Sequence, residues 1–548
     1  MDESETGLGD SNDTIIPQPQ STDTGDNGSL FSIFMPQSGG WFFAYLLGGM
    51  LFMRPEMFLW DGGTCRHIIN GEYWLANHAL PTTNYTSAIF NSSPCLTRCW
   101  LGDITSGTVF SHFGMTGIVL IFSIVGALGL MWSYQMARAR GMGLLAGMVL
   151  VLLVMPAVGM HWSARCHVYT YLPFLILYYL VFLSTHKIAV RAVATALVMC
   201  LWANLHGSYT VGVVMLAVSM GAAAIGGLLA KADVKLPCIE GYRRQPGVEG
   251  RLKPVSNLAI LAACGGIATA LNPRGMAFYN TIFTYMSNPV VLSKTDEWRS
   301  FDITAGVGAW FFLVLAGITI YAIWKTKGGL TFHETAVMCV FFVASIISMR
   351  FVPYCALMVI PFLAPYWQLL RPKLLVREQT NPLTKGLAKL AKVESGIESS
   401  EPKGWKPALL YIVATIIMGI AFLSLDYCKV KDFDPTRIPV KLVECLAKEN
   451  PPGLGFNYDN WGGYIYFKLK RTVYIDDWAD FLPPEFIEEY LKILLTQDNW
   501  EEIFNKRNFT WVMVPKEAQL AQVLSQRKDW EVKCKDDVGV FLVRKPAP

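Results

Sequence analysis

The chain has 548 residues, of which 53% are hydrophobic and only 16% are Asp, Glu, Lys or Arg, with a formal net charge of +4. Soluble domains carry about a quarter charged residues, so this balance excludes an ordinary water-soluble protein and points to membrane lipid as a partner. No basic cluster stands out as a nucleic-acid patch, so nucleic acid is not expected as a partner.

Residues 1–40 are acidic, polar and rich in turn formers, with no Lys or Arg. They read as a disordered tail without the basic start of a cleaved signal peptide. Residues 41–425 form the membrane-spanning region. Apolar cores are predicted over 41–60, 114–134, 144–160, 168–183, 189–203, 211–229, 258–271, 306–324, 335–349, 352–367 and 408–425. Stretches of ~17–22 apolar residues cross a bilayer, so the expectation is about eleven spans. Two outer loops stand out, 61–108 and 272–301. The first should carry a short interfacial helix over 67–79, ended by the Leu80–Pro81 step. Residues 371–406 are charged and read as a mobile cytoplasmic connection. From 426 to 548 the composition becomes that of a soluble domain, with helices predicted over 437–449, 484–495 and 516–525. Strands are predicted over 455–458, 472–475, 510–514, 530–533 and 539–543. The fold class read from this pattern is a polytopic α-helical membrane protein with a C-terminal soluble α/β domain.

Orientation follows from the cations in the loops. One face holds Arg138, Arg140, Lys187, Arg191, Lys231, Lys235, Arg243, Arg244, Arg251, Lys253, Lys325 and Lys327, and the 371–406 loop adds eight more. The other face holds Arg54, Arg66, Arg98, Arg165, Arg274, Lys294, Arg299 and Arg350. The positive-inside rule then puts the N-terminus in the cytoplasm, and an odd span count puts the C-terminal domain outside the inner membrane. There an oxidising compartment permits disulfides among Cys65, Cys95, Cys99, Cys428, Cys445 and Cys534, with connectivity left open.

The residues able to carry chemistry map to that outer face. Asp61 follows the first span between Trp60 and two glycines, a place for a general base or for a helix N-cap. His67 and His206 are candidates for orienting a ligand, and Arg165, Arg274 and Arg350 for holding phosphate oxygens. Each has a structural alternative, an interfacial anchor or a satisfied polar group. Asp103 and Glu297 are further acidic candidates. In the tail domain, NYDNWGGYIYFKLKRTVYIDD offers Trp461, Tyr464, Asp476 and Asp477 as binding candidates, with close backbone approach expected at the glycine pair. The eight histidines show neither HExxH nor zinc-type Cys/His spacing, which argues against a tight zinc site.

The segment DGGTCRHIINGEYWLANHALPTTNYTSA resembles the first outer loop of bacterial multi-span GT-C-type glycosyltransferase-like proteins, and WANLHGS, NPRG, DEW and WGGY…YIDD follow in the same order. The tail segment is also distantly similar to the WWDYG region of oligosaccharyltransferases, where an acceptor peptide is read. The resemblance implies a sugar donor linked to polyprenyl phosphate, used in the cell envelope outside the cytoplasmic membrane, with a glycan, lipid or protein acceptor. It implies inverting transfer with Asp61 as the base and arginines on the departing phosphate, and it leaves a divalent metal open. One departure is Asn84, where the group often has Asp; Asp103 is the available substitute. Two rivals come from other classes: a transporter or flippase for a lipid-linked or anionic substrate, and a non-catalytic scaffold subunit. The grouping of polar residues on one face, with no inverted repeat, favours the enzyme.

Overall fold

Each apolar stretch read from the sequence falls on a helix of the structure, a computed structural model that describes residues 38–52, 55–94, 97–232, 253–287, 298–325, 331–376, 379–400, 406–478 and 482–546. The acidic tail up to residue 37, Cys95, Lys294 and Glu297 lie outside the described residues. The membrane region consists of α1 (Ser38–Phe52), α2 (Gly63–Asn77), α3 (Trp100–Ala139), α4 (Leu144–Gly159), α5 (Tyr171–Tyr178), α6 (Ile188–Leu205), α7 (Tyr209–Lys231), α8 (Lys253–Ala268) and α9 (Met276–Met286). It continues through α10 (Val307–Lys325), α11 (Phe332–Ile347), α12 (Val352–Val376), α13 (Pro382–Ser400) and α14 (Lys406–Ser424).

Among the described residues, five helices are long and apolar enough to cross a membrane by length and composition, namely Trp100–Ala139, Ile188–Leu205, Tyr209–Leu229, Val307–Lys325 and Met349–Val376. Shorter apolar helices accompany them, among them Leu144–Gly159 and Phe332–Ile347. Hydrocarbon offers no partner for a bare peptide group, so helices that bond their own backbone are the stable form for these sequences. Leu197, Ile320, Trp324, Ile346 and Ile347 stand exposed on the outside of the bundle, where lipid rather than water is their natural solvent.

Three local features depart from the sequence reading. Helix α2 begins four residues earlier than expected and ends at Asn77, where His78 turns into the left-handed region (φ 50°) and its N–H bonds Trp74 O, so the stop precedes Pro81. Helix α3 begins at Trp100 rather than 114, and bends at Gly114, whose φ of 61° and ψ of −156° are open to glycine alone. Its outer half packs along α2 at a crossing where Gly71 meets Gly107; a Cβ on Gly71 would lie 2.7 Å from Gly107 Cα.

The third departure is the 371–406 connection, which is ordered over most of its length. Helix α13 places Glu394 and Glu398 one turn apart, facing the start of α4. Glu394, fully buried, accepts from the Ala146 amide (3.0 Å) and from Trp367 Nε1 (3.3 Å), and Arg371 Nε lies 3.4 Å away. Glu398 accepts from the Leu144 amide (2.9 Å) and Arg371 (2.7 Å), and pairs with Arg138. Carboxylates at a helix N-terminus meet orphan amides and the positive dipole end, and these bonds add to the packing of Leu387, Ala388, Leu390 and Ala391 on the core.

The C-terminal domain contains α15 (Val440–Glu449), β1 (Gly455–Asn457), α16 (Asp459–Leu469), α17 (Pro484–Leu494), α18 (Trp500–Arg507), β2 (Trp511–Pro515), α19 (Gln519–Ser525), β3 (Trp530–Lys535) and β4 (Gly539–Arg544). The sheet order is β1-β2-β4-β3; β1 runs parallel to β2, and the other pairs are antiparallel. Phe456, Tyr474, Tyr490, Phe504 and Phe509 form its aromatic centre, and a Cys445–Cys534 disulfide ties α15 to β3. Cys65, Cys99 and Cys428 are free.

The predicted strand at 472–475 does not join this sheet. Val473 bridges Ser87 of the first outer loop instead: Val473 N donates to Thr86 O (2.9 Å) and Ala88 N to Val473 O (2.7 Å). Alongside, α16 lies on α2 through the glycine pair. A Cβ on Gly463 would sit 3.1 Å from Gly62 O, and one on Gly462 only 2.9 Å from Asp476 Cα. The membrane region and the C-terminal domain thus share backbone hydrogen bonds as well as side-chain contacts.

Candidate active site

A cavity of about 300 Å³ opens where α2, the outer half of α3, the α6–α7 bend and the C-terminal domain meet. Its polar wall carries Arg66, His67, Arg98, Asp103, His206 and Arg350. Its apolar wall carries Val211, Val214, Ile282, Met286 and Phe351. Among the described lining residues, the guanidiniums of Arg66, Arg98 and Arg350 outnumber the Asp103 carboxylate, a balance compatible with an anionic ligand.

The WANLHGS bend explains His206. The histidine caps α6 in extended conformation and its Nδ1 accepts the Ser208 N–H at 3.0 Å, so the neutral ring carries its proton on Nε2. Ser208 in turn takes hydrogen bonds from Trp202 Nε1 (3.1 Å) and Tyr354 OH (3.1 Å). Arg350 occupies a short turn before α12 with its guanidinium 4.8 Å from the Trp298 ring centroid.

His67 and Asp103 are both buried and joined, Nδ1 to Oδ1, at 2.6 Å. Asn70 Nδ2 holds the other carboxylate oxygen at 3.1 Å, and Tyr85 OH holds Asn70 Oδ1 at 2.7 Å. The buried Cys166 lies against the same pair, its Sγ 3.2 Å from His67 Nδ1 and 3.6 Å from Asp103 Oδ1.

Asp61 stands beside the cavity in an ion network rather than in its lining. Its Oδ1 accepts the Gly63 N–H (2.8 Å) and its Oδ2 lies 3.0 Å from Arg165 Nε. Arg165 also donates to Asp477 Oδ2 (2.9 Å), and Arg66 reaches Asp477 O (3.3 Å) and Oδ2 (3.9 Å). Gly63 has no side chain where the Arg165 guanidinium lies. Burial pushes the Asp477 carboxyl up, but Arg66 and Arg165 overcome it and hold the group below the usual carboxylate range. Burial and the neighbouring Asp477 charge push Asp476 up to about 6, although the Thr86 hydroxyl donates to it at 2.6 Å.

The structure therefore brings His67, Asp103, His206 and Arg350 to one cavity, with Asp61, Arg165 and Asp477 at its edge. Arg274 goes elsewhere, donating to Pro81 O at 3.1 Å. Trp461 and Tyr464 are buried packing residues: the Trp461 indole donates to Arg437 O (3.3 Å), and Tyr464 meets Phe433 edge-on. Asn84, in place of the Asp common in the resembling loops, serves the turn; its Oδ1 accepts the Thr86 (3.1 Å) and Ser87 (2.8 Å) amides. Sequence reading missed Arg66, Arg98, Asn70, Cys166 and Trp478. Arg66 and Arg98 already stood among the sparse outer-face cations, and that scarcity was the available signal.

Solved structures share this architecture. The apo oligosaccharyltransferase of Archaeoglobus fulgidus superposes with a TM-score of 0.53 at 14% identity, over 88% of this chain and 69% of the other. Archaeal oligosaccharyltransferase AglB from the same organism, in complex with an inhibitory peptide and a dolichol-phosphate, gives 0.52 at 14% identity over the same shares. This chain has a GT-C-type membrane fold. No protein-family model and no curated protein matches the sequence. Within the GT-C fold, the cavity lies at the junction of the membrane helices and the C-terminal domain.

Proposed function

We propose that this chain is a membrane glycosyltransferase that moves a sugar from a polyprenyl-phosphate-linked donor to an acceptor outside the cytoplasm. The observation that carries the reading is the cavity wall, in which, among the described residues, Arg66, Arg98 and Arg350 accompany Asp103 while the opposite wall is apolar. That combination suits a phosphate headgroup with a hydrocarbon chain. The dolichol-phosphate in the archaeal oligosaccharyltransferase complex supports the same ligand class.

In this reading the acceptor oxygen bonds to the anomeric carbon as its bond to the phosphate oxygen breaks, with inversion. The electron pair leaves on the phosphate, where the guanidiniums stabilise it, and the acceptor proton passes to Asp61. Arg165 and the Gly63 amide fix the direction of that carboxylate. We place the N-terminus in the cytoplasm, with about eleven spans when the shorter apolar helices are counted with the five long ones. The C-terminal domain then lies outside, a side supported by its Cys445–Cys534 disulfide.

The test uses the purified chain in lipid nanodiscs with a panel of polyprenyl-phosphate sugars, following release of polyprenyl phosphate by mass spectrometry. Wild-type release, reduced at least tenfold in Arg98→Ala and Arg350→Ala and abolished in Asp61→Asn, is the expected outcome. If no donor is consumed and polyprenyl phosphate itself leaves the melting temperature unchanged, the reading fails.

A further inference from the structure

We infer that His67, Asp103 and Cys166 form a binding site for a zinc-type transition-metal ion, with its open side toward the cavity. The three donors come from separate parts of the chain: α2, the outer half of α3, and the loop between α4 and α5. His67 Nδ1, an Asp103 oxygen and Cys166 Sγ converge within 4.8 Å of one another, and all three residues are buried. This inference goes beyond the transfer reaction and does not depend on it.

The geometry can be compared with what an ion requires. A tetrahedral ion with bonds of about 2.0–2.3 Å sets nitrogen and oxygen ligands about 3.3 Å apart and sulfur about 3.5 Å from either. The two sulfur edges, 3.2 and 3.6 Å, already match. The His67–Asp103 edge is 2.6 Å, the length of a shared proton, and opens by roughly 0.7 Å when an ion of this geometry replaces that proton. The ion also displaces the thiol proton of Cys166, so binding releases protons to solvent.

The donor set indicates the metal. Magnesium and calcium take oxygen ligands, whereas a thiolate with an imidazole and one carboxylate suits zinc or cobalt. Two further observations support a built site. Asn70 and Tyr85 form a chain behind Asp103 that fixes its free oxygen, the outer-shell arrangement typical of metal carboxylates. The buried Cys99 thiol is in hydrogen-bond contact with Cys166 and backs that ligand from behind. Because His67, Cys99 and Asp103 all line the cavity, an ion here would face whatever anion enters it. Zinc-type spacing is absent from the sequence because no two of these ligands share a local motif.

The experiment uses the tag-free full chain, stripped with chelator and dialysed against Zn²⁺ or Co²⁺ alone, without lipid donor. One ion retained per chain by elemental analysis, and a thiolate-to-cobalt charge-transfer band, are expected. Cys166→Ser should lose that band and bind at least tenfold more weakly; Asn70→Ala should weaken binding severalfold with the band intact. A wild-type chain that retains no stoichiometric ion, or whose cobalt spectrum lacks the thiolate band, overturns the inference even if the variants do not fold. An unchanged band in Cys166→Ser overturns it as well.

Discussion

Arg165→Ala removes the cation shared by Asp61 and Asp477, and its cost can be worked from the contacts. Two carboxylates, with side chains 9% and 11% exposed, lose partners at 3.0 and 2.9 Å. Asp477 keeps only the longer approach of Arg66, at 3.9 Å, and Asp61 keeps the Gly63 amide. Breaking a fully buried pair costs about 3–5 kcal/mol; with Arg165 itself 20% exposed, we expect about 2–4 kcal/mol. About half of the loss falls on the docking of the C-terminal domain, because Asp477 belongs to it whereas Asp61 and Arg165 both belong to the membrane region. At 1.4 kcal/mol per tenfold, a docking share of about 1–2 kcal/mol makes undocking about 5- to 30-fold more frequent. Hydrogen exchange reads this at the Ala88 and Val473 amides, whose bonds cross the junction at 2.7 and 2.9 Å. Arg165→Ala with Asp477→Asn should recover part of the loss, since one orphaned charge disappears. Unchanged exchange at both amides in Arg165→Ala would refute the network as a docking element.

Other perturbations test the same architecture. Gly71→Val forces α2 and α3 apart where a Cβ would already lie 2.7 Å from Gly107 Cα, and should lower the melting temperature by an amount consistent with about 1–3 kcal/mol of overpacking. Burial holds the Asp459 and Asp476 carboxyls up at about 6, above the unfolded value, so the folded chain binds more protons than the unfolded one in that interval. Their contribution is full below the unfolded carboxylate value and is lost as pH rises through 6; Asp477, held low, acts oppositely and only in more acid solution. Thermal unfolding of the C-terminal domain should therefore occur at higher temperature at pH 5 than at pH 7.5, and Asp476→Asn should shrink that difference. Cys534→Ser opens the link between α15 and β3 and should cost about 2–4 kcal/mol by denaturant titration.

The helices were legible because a bilayer leaves few options: a long apolar run must bond its own backbone, whatever its partners. The grouping of His67, Asp103, His206 and Arg350 in one cavity was legible for a related reason, since ionisable groups at span ends are costly unless they share a cavity. What stayed hidden depends on distant partners. Nothing local to Asp61 shows that it meets Arg165, or that Arg165 meets Asp477 some 312 residues later. Thr472–Ile475 looks like a strand and does pair, but with residue 87 instead of the sheet. Helix α13 alternates lysines with a short apolar face, and its order comes from Leu387, Leu390 and Ala391 packing on the core together with Glu394 and Glu398 meeting amides and arginines of other segments. Arg274 looked equivalent to Arg350, and only the path of the chain sends one to Pro81 and the other to the cavity.

Trp478 lines the cavity, while its neighbours Asp476 and Asp477 grip Thr86, Arg66 and Arg165. During synthesis, the membrane helices are made and inserted before this segment leaves the ribosome. The cavity therefore acquires its last wall only after this segment has folded onto the first loop and α2. A chain arrested earlier is a membrane protein without an assembled site, so activity in the cell should report finished products alone.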